Sequence, residues 1–137
     1  MRHSSLTLAV SFALATLGAH AAVTDKMIED DAGTSSDVLS WGIGTQGQRY
    51  SPLKAINPST IGKLVPVRRF PFGGEPQRGQ ESQPVIHNGK MFVTASYSRI
   101  FALDAKTGTK LWQYEHRLPE GIMPCCDVIN RGAAPYD

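Results

Sequence analysis

The chain has 137 residues, long enough for one domain, with 14 Lys and Arg against 12 Asp and Glu, a net charge of +2. That near balance argues against a nucleic-acid or anionic-membrane partner, which would favour a strongly basic face. Thirteen Gly and nine Pro, with little helical patterning, predict a turn-rich, all-β protein.

The first stretch reads as an export signal. Arg2 and His3 form a short positive region, Leu6 to Leu17 is apolar and uncharged, and Ala19-His20-Ala21 places small residues at both cleavage-reading positions. The apolar run is shorter than the roughly 20 residues needed to span a bilayer. Residues 1–21 are therefore expected to be removed, leaving a periplasmic chain of net charge near +1 with no membrane span.

Residues 22–63 are expected to form an N-terminal segment with a short helix. Met27 to Ala32 is one candidate helix, and residues 42–50 read as loop. Asn57 and Pro58 suit the cap and first position of another helix, which Pro66 must end early.

From residue 64 strand-like runs follow with turn signals between them. They are Leu64–Phe72, weakened by Pro71, then Gln83–Ile86, Lys90–Ser96, Arg99–Asp104 and Lys110–Glu115. Asn88-Gly89 marks a hairpin. Met91, Val93 and Ala95 alternate with Phe92 and Thr94, so both faces of that strand carry apolar groups, as in a sheet between layers. Between the last two runs, Asp104 can accept bonds from turn amides, Gly108 can supply a left-handed residue, and Trp112 can pack on a neighbouring sheet. Four or five such strands would leave long unpaired edges, so the domain is expected to be incomplete.

Cys125 and Cys126 are adjacent. Free thiols, a soft-metal pair and a bridge are all open to such a pair in an exported chain, although adjacency lacks the usual metal-ligand spacing. Neighbouring Cα atoms lie about 3.8 Å apart and ordinary disulfides prefer about 5.5–6 Å, so a bridge would strain the backbone. His87 and His116 stand alone and read as structural or surface residues, and Trp41 and Tyr97 as packing residues.

Several of these stretches resemble one family. The spacing Ala102-x-Asp104-x-x-Thr107-Gly108-x-x-x-Trp112 is similar to the tryptophan-docking repeat of pyrroloquinoline quinone (PQQ)-dependent alcohol dehydrogenases, close to the soluble ethanol-dehydrogenase type. Gly44 to Leu53 resembles their N-terminal segment, and Gln77 to Gln83 and Cys125 to Gly132 resemble two cofactor-site stretches. The resemblance implies that residues 64–137 begin an eight-bladed β-propeller. It implies a vicinal Cys125–Cys126 disulfide lying flat on one face of PQQ, a hydrogen bond from the cofactor's rim to Glu81, and Arg131 on a PQQ carboxylate. A guanidinium suits that last task because it stays charged and binds oxygens in pairs.

The implied activity is oxidation of a primary alcohol to an aldehyde, with PQQ as acceptor, calcium (or a lanthanide) as Lewis acid, and a periplasmic cytochrome c taking the electrons. The family's metal ligands and catalytic aspartate lie further along, so this stretch is assigned no catalytic or metal-binding residue and is expected to be inactive alone. Arg68 departs from the pattern, standing where a tryptophan is expected, which bears on the packing of the closing blade. Other classes compatible with the chain are a non-enzymatic propeller scaffold of the cell envelope, a redox module built on the cysteines, and an inactive gene remnant.

Overall fold

The computed structural model describes residues 22–73, 80–122 and 127–136. The expected export signal at 1–21 therefore lies outside the described residues. Helix α1 spans Asp25–Asp30, two residues earlier than the expected start at Met27. The reason is the cap: the Thr24 hydroxyl accepts the Met27 N–H at 3.3 Å, and Asp25 places an acid in the first turn. A 3₁₀ turn, Asp31–Gly33, follows.

Asp31 is fully buried. Its Oδ2 accepts from the Leu39 N–H at 2.9 Å and from the Ser40 N–H and hydroxyl, both at 3.2 Å. This carboxylate folds the N-terminal segment back so that Val38 exchanges two backbone bonds of 2.8 Å with Ile86.

The sheet contains β1 (Val85–His87), β2 (Lys90–Ala95), β3 (Arg99–Asp104) and β4 (Lys110–Tyr114), antiparallel in the order β1-β2-β3-β4. The first hairpin turns at Asn88 and Gly89, with φ of 49° and 71°, the two positive values that a two-residue turn of matching twist requires. The β3–β4 turn is built as its residues predict. Asp104 Oδ1 accepts from the N–H groups of Lys106 and Thr107 and from the Thr107 hydroxyl, at 3.0, 2.6 and 2.8 Å. The Gly108 N–H closes the turn on Asp104 O at 2.8 Å.

Two expected elements are corrected. Leu64–Phe72 is an extended run rather than a strand. Pro66 and Pro71 carry no N–H to give a ladder, and the run is held by side chains instead. Phe70 and Phe72 pack against buried Phe101 at centroid distances of 5.5 and 5.4 Å, and Arg99 donates to the carbonyls of Phe72 and Gly73 at 2.8 and 3.2 Å. The helix expected after Asn57 is only a turn followed by a 3₁₀ turn, Ile61–Lys63. Asn57 does accept from the Ser59 N–H at 3.0 Å as a cap would, but Gly62 and Pro66 deny the helix length.

The core is thin. Ala95, Phe101 and Leu103 are buried with Phe70, Phe72 and Met91 against them. The other sheet face is partly open: Trp112 leans on Phe92 at 6.0 Å and keeps 47% of its surface exposed, and β4 is exposed throughout. A sheet that is apolar on both faces but only partly covered on the second is half of a layered arrangement.

Arg68 answers in part the question its place in the pattern raised. Its side chain lies over Gly108, so that a Cβ built at Gly108 would meet Arg68 Cδ at 2.5 Å, and Arg68 Nη1 donates to Ala105 O at 3.3 Å. The arginine stem covers the turn glycine through its methylenes.

Candidate functional site

Three segments converge: the run 80–83 entering β1, the C-terminal end of β2, and the run 127–131. The Gln83 N–H donates to Arg131 O at 3.3 Å and the Tyr97 N–H to Val128 O at 2.9 Å. On β2, Thr94 is 1% exposed, and its N–H donates to Ser82 Oγ at 3.0 Å. Its hydroxyl lies 2.9 Å from the same Ser82 Oγ and 3.1 Å from Asn130 O. Gln83 anchors the assembly to the N-terminal segment: Oε1 accepts the Gly42 N–H at 3.2 Å and Nε2 donates to Ser40 O at 3.3 Å. Ser40 is in turn held by Asp31.

This scaffold presents Glu81 and Arg131 to each other as an ion pair, Nε to Oε2 at 3.2 Å. Both side chains are open to solvent, at 49% and 71% exposure. Such a wet pair adds little to stability, about 0–1 kcal/mol at most. It does leave an acceptor and a guanidinium side by side on one accessible face. Among the described residues no other partner contacts that guanidinium. A group carrying carboxylates and carbonyls on a flat frame fits this donor–acceptor set by its chemistry.

Of the residues singled out in the sequence, Glu81 and Arg131 are thus brought together. Cys125 and Cys126 lie outside the described residues. Asp127, which follows them, has φ of 76°, a left-handed conformation uncommon for a residue with a side chain. Tyr97 and Ser98 also carry positive φ, 61° and 56°, in the β2–β3 turn that holds Val128. His87 is not isolated, since its Nδ1 is 3.1 Å from Asp37 Oδ2. Trp41 is stacked by Arg49, whose guanidinium carbon is 4.0 Å from the ring centroid. Among the described residues no group of three or more His, Cys, Asp and Glu is placed to hold a metal.

Sequence reasoning missed Ser82, Gln83 and Thr94 as parts of the site. Ser82 and Gln83 stood inside a stretch already noted, but Thr94 read as one more strand residue. A hydroxyl on an otherwise apolar strand was the available signal, because buried hydroxyls need partners.

Comparison with known proteins agrees with this architecture. Residues 39–137 match the PQQ family model described as glucose/ethanol/alcohol dehydrogenase, β-propeller domain. The quinoprotein ethanol dehydrogenase of Pseudomonas aeruginosa is 54% identical over 99% of this chain, which covers 22% of that protein. The 1-butanol dehydrogenase (quinone) of Thauera butanivorans is 58% identical over 85% of the chain and 19% of its own length. The chain thus spans about a fifth of the length of the curated relatives it matches. Among solved structures, the quinohemoprotein alcohol dehydrogenase from Comamonas testosteroni superposes with a TM-score of 0.66 at 32% identity, over 83% of this chain and 17% of that one. A europium-containing methanol dehydrogenase gives 0.71 at 26% identity, over 82% and 20%. The four-stranded sheet is therefore part of a propeller, and the chain belongs to the PQQ-type glucose/ethanol/alcohol dehydrogenase β-propeller family.

Proposed function

We propose that this chain supplies part of the PQQ-binding wall of a periplasmic alcohol dehydrogenase that oxidises primary alcohols to aldehydes. Residues 1–21 act as its export signal, 22–63 form the N-terminal segment, and 64–137 open the propeller. The observation that carries the reading is the meeting of Glu81 and Arg131, remote in sequence, as an accessible ion pair on a hydrogen-bonded scaffold. PQQ, when bound, supplies the two-electron acceptor for the alcohol. Arg131 offers its terminal N–H groups to a cofactor carboxylate, and Glu81 accepts from a rim donor while keeping the guanidinium turned toward the site. Cys125 and Cys126 are assigned as a bridge that offers a flat, rigid surface to one ring face. The calcium or lanthanide, the general base and the docking face for a cytochrome c belong to the rest of the whole protein. A propeller that serves only as a scaffold has no use for Glu81, the cysteine pair or Arg131, and their joint presence favours the enzyme.

The test uses a chimera in which this chain replaces the matching segment of the Pseudomonas aeruginosa relative. Apo-chimera titrated with PQQ is expected to bind it, and Arg131→Met and Glu81→Gln each to weaken binding about 10- to 100-fold, the value of a hydrogen bond to a charged group. Unchanged affinity in both variants would defeat the assignment. Thiol titration of the unfolded, unreduced chimera is expected to show Cys125 and Cys126 blocked, and two free thiols there would favour a dithiol module.

A further inference from the structure

Thr94 is buried near the C-terminal end of β2, and a buried hydroxyl must find partners. Its Oγ1 has two, Ser82 Oγ at 2.9 Å and Asn130 O at 3.1 Å. A carbonyl only accepts, and a threonine hydroxyl has one proton. The Thr94 proton therefore goes to Asn130 O, and the Ser82 hydroxyl donates to Thr94 Oγ1. The Thr94 N–H then fills an acceptor position on Ser82 Oγ, at 3.0 Å. Only this orientation satisfies all three contacts. On the same residue, Thr94 O accepts from Gln80 Nε2.

Each end of this relay stops one residue from the candidate site, since Ser82 follows Glu81 and Asn130 precedes Arg131. The exposed ion pair is too well hydrated to hold two loops in register by itself. Loops carry precise contacts only when rigid elements fix them, and β2 is such an element, paired along its whole length with β3.

We propose that Thr94 is a positioning residue that sets the spacing of Glu81 and Arg131, acting through Ser82 and Asn130 rather than by contact with a ligand. The inference rests on the reading of those two residues as PQQ-binding.

The test is a double-mutant cycle in the chimera described above, read as PQQ affinity of the apo-protein. Thr94→Val keeps the shape and removes the hydroxyl, whereas Thr94→Ser keeps the hydroxyl. Thr94→Val is expected to weaken PQQ binding about tenfold, with Thr94→Ser close to the parent. In an Arg131→Met background the same Thr94→Val change is expected to cost less than about twofold, because there is no longer a guanidinium to position. An unchanged affinity in Thr94→Val, or an equal loss in both backgrounds, overturns the proposal. Should Thr94→Val fail to fold, Ser82→Ala breaks the relay from the loop side and must show the same coupling to Arg131. If Arg131→Met and Glu81→Gln leave affinity untouched, the PQQ reading falls and the relay with it. If they weaken it while Thr94→Val and Ser82→Ala do not, the relay alone falls.

Discussion

Gly108 is the position where a single methyl group tests the β3–β4 turn and the arginine above it. Its φ is 73°, and a Cβ there would lie 2.5 Å from Arg68 Cδ. Gly108→Ala therefore meets two costs. The left-handed backbone costs a residue with a Cβ about 1–2 kcal/mol. Displacing Arg68 loses its exposed bond to Ala105 O, worth about 0.5 kcal/mol. The sum of about 2 kcal/mol corresponds to a loss of local protection of about 30-fold. Native-state hydrogen exchange of the chimera reads this directly at the amides of Asp104 and Ala105, which donate to Thr109 O and Gly89 O at 2.8 Å. In an Arg68→Ala background only the backbone cost remains, and the loss is expected to shrink to about tenfold. Equal losses in the two backgrounds would show that Arg68 does not cover the turn, and a neutral Gly108→Ala would refute the left-handed conformation itself.

Two further outcomes are expected. Phe101→Ala removes the ring on which Phe70 and Phe72 rest edge-on or tilted. It should cost about 3–5 kcal/mol and expose residues 64–73 to proteases, with Phe101→Leu recovering much of the loss, and an unaltered cleavage pattern would contradict the packing. Asp104 is held below its ordinary value of 3.8, first by the Thr107 N–H, then by the Thr107 hydroxyl and the Lys106 N–H, with Arg68 adding a favourable charge. A depressed carboxyl contributes stability above its unfolded value and loses it as pH falls through the folded one. Exchange at Lys106 and Thr107 should therefore accelerate beyond its intrinsic rate only below pH 3.8, and Asp104→Asn should flatten that dependence.

What could be read along the chain was local. Strand β3 begins and ends at the expected residues, Arg99 and Asp104, and the turn signal that starts at Asp104 closes it. The missed elements share a cause. Leu64–Phe72 is rich in apolar residues, yet a strand also needs a partner and donors, and its prolines withhold donors at two positions. For the site, the resemblance named Glu81 and Arg131 one at a time, and nothing in the spacing between them required an encounter.

By itself, then, the sequence determined the features made by residues within a few positions of each other. The Asn88-Gly89 hairpin and the Asp104–Gly108 turn are written in residues whose φ preference or side-chain acceptor acts on their own neighbours. Tertiary structure alone decided the contacts that define the site. Thr94 meets Ser82 across 12 positions and Asn130 across 36, and those distances close only after the sheet is paired and the flanking runs are laid against it. A hydroxyl declares in sequence that it needs partners, but which partners arrive depends on the path of the whole chain.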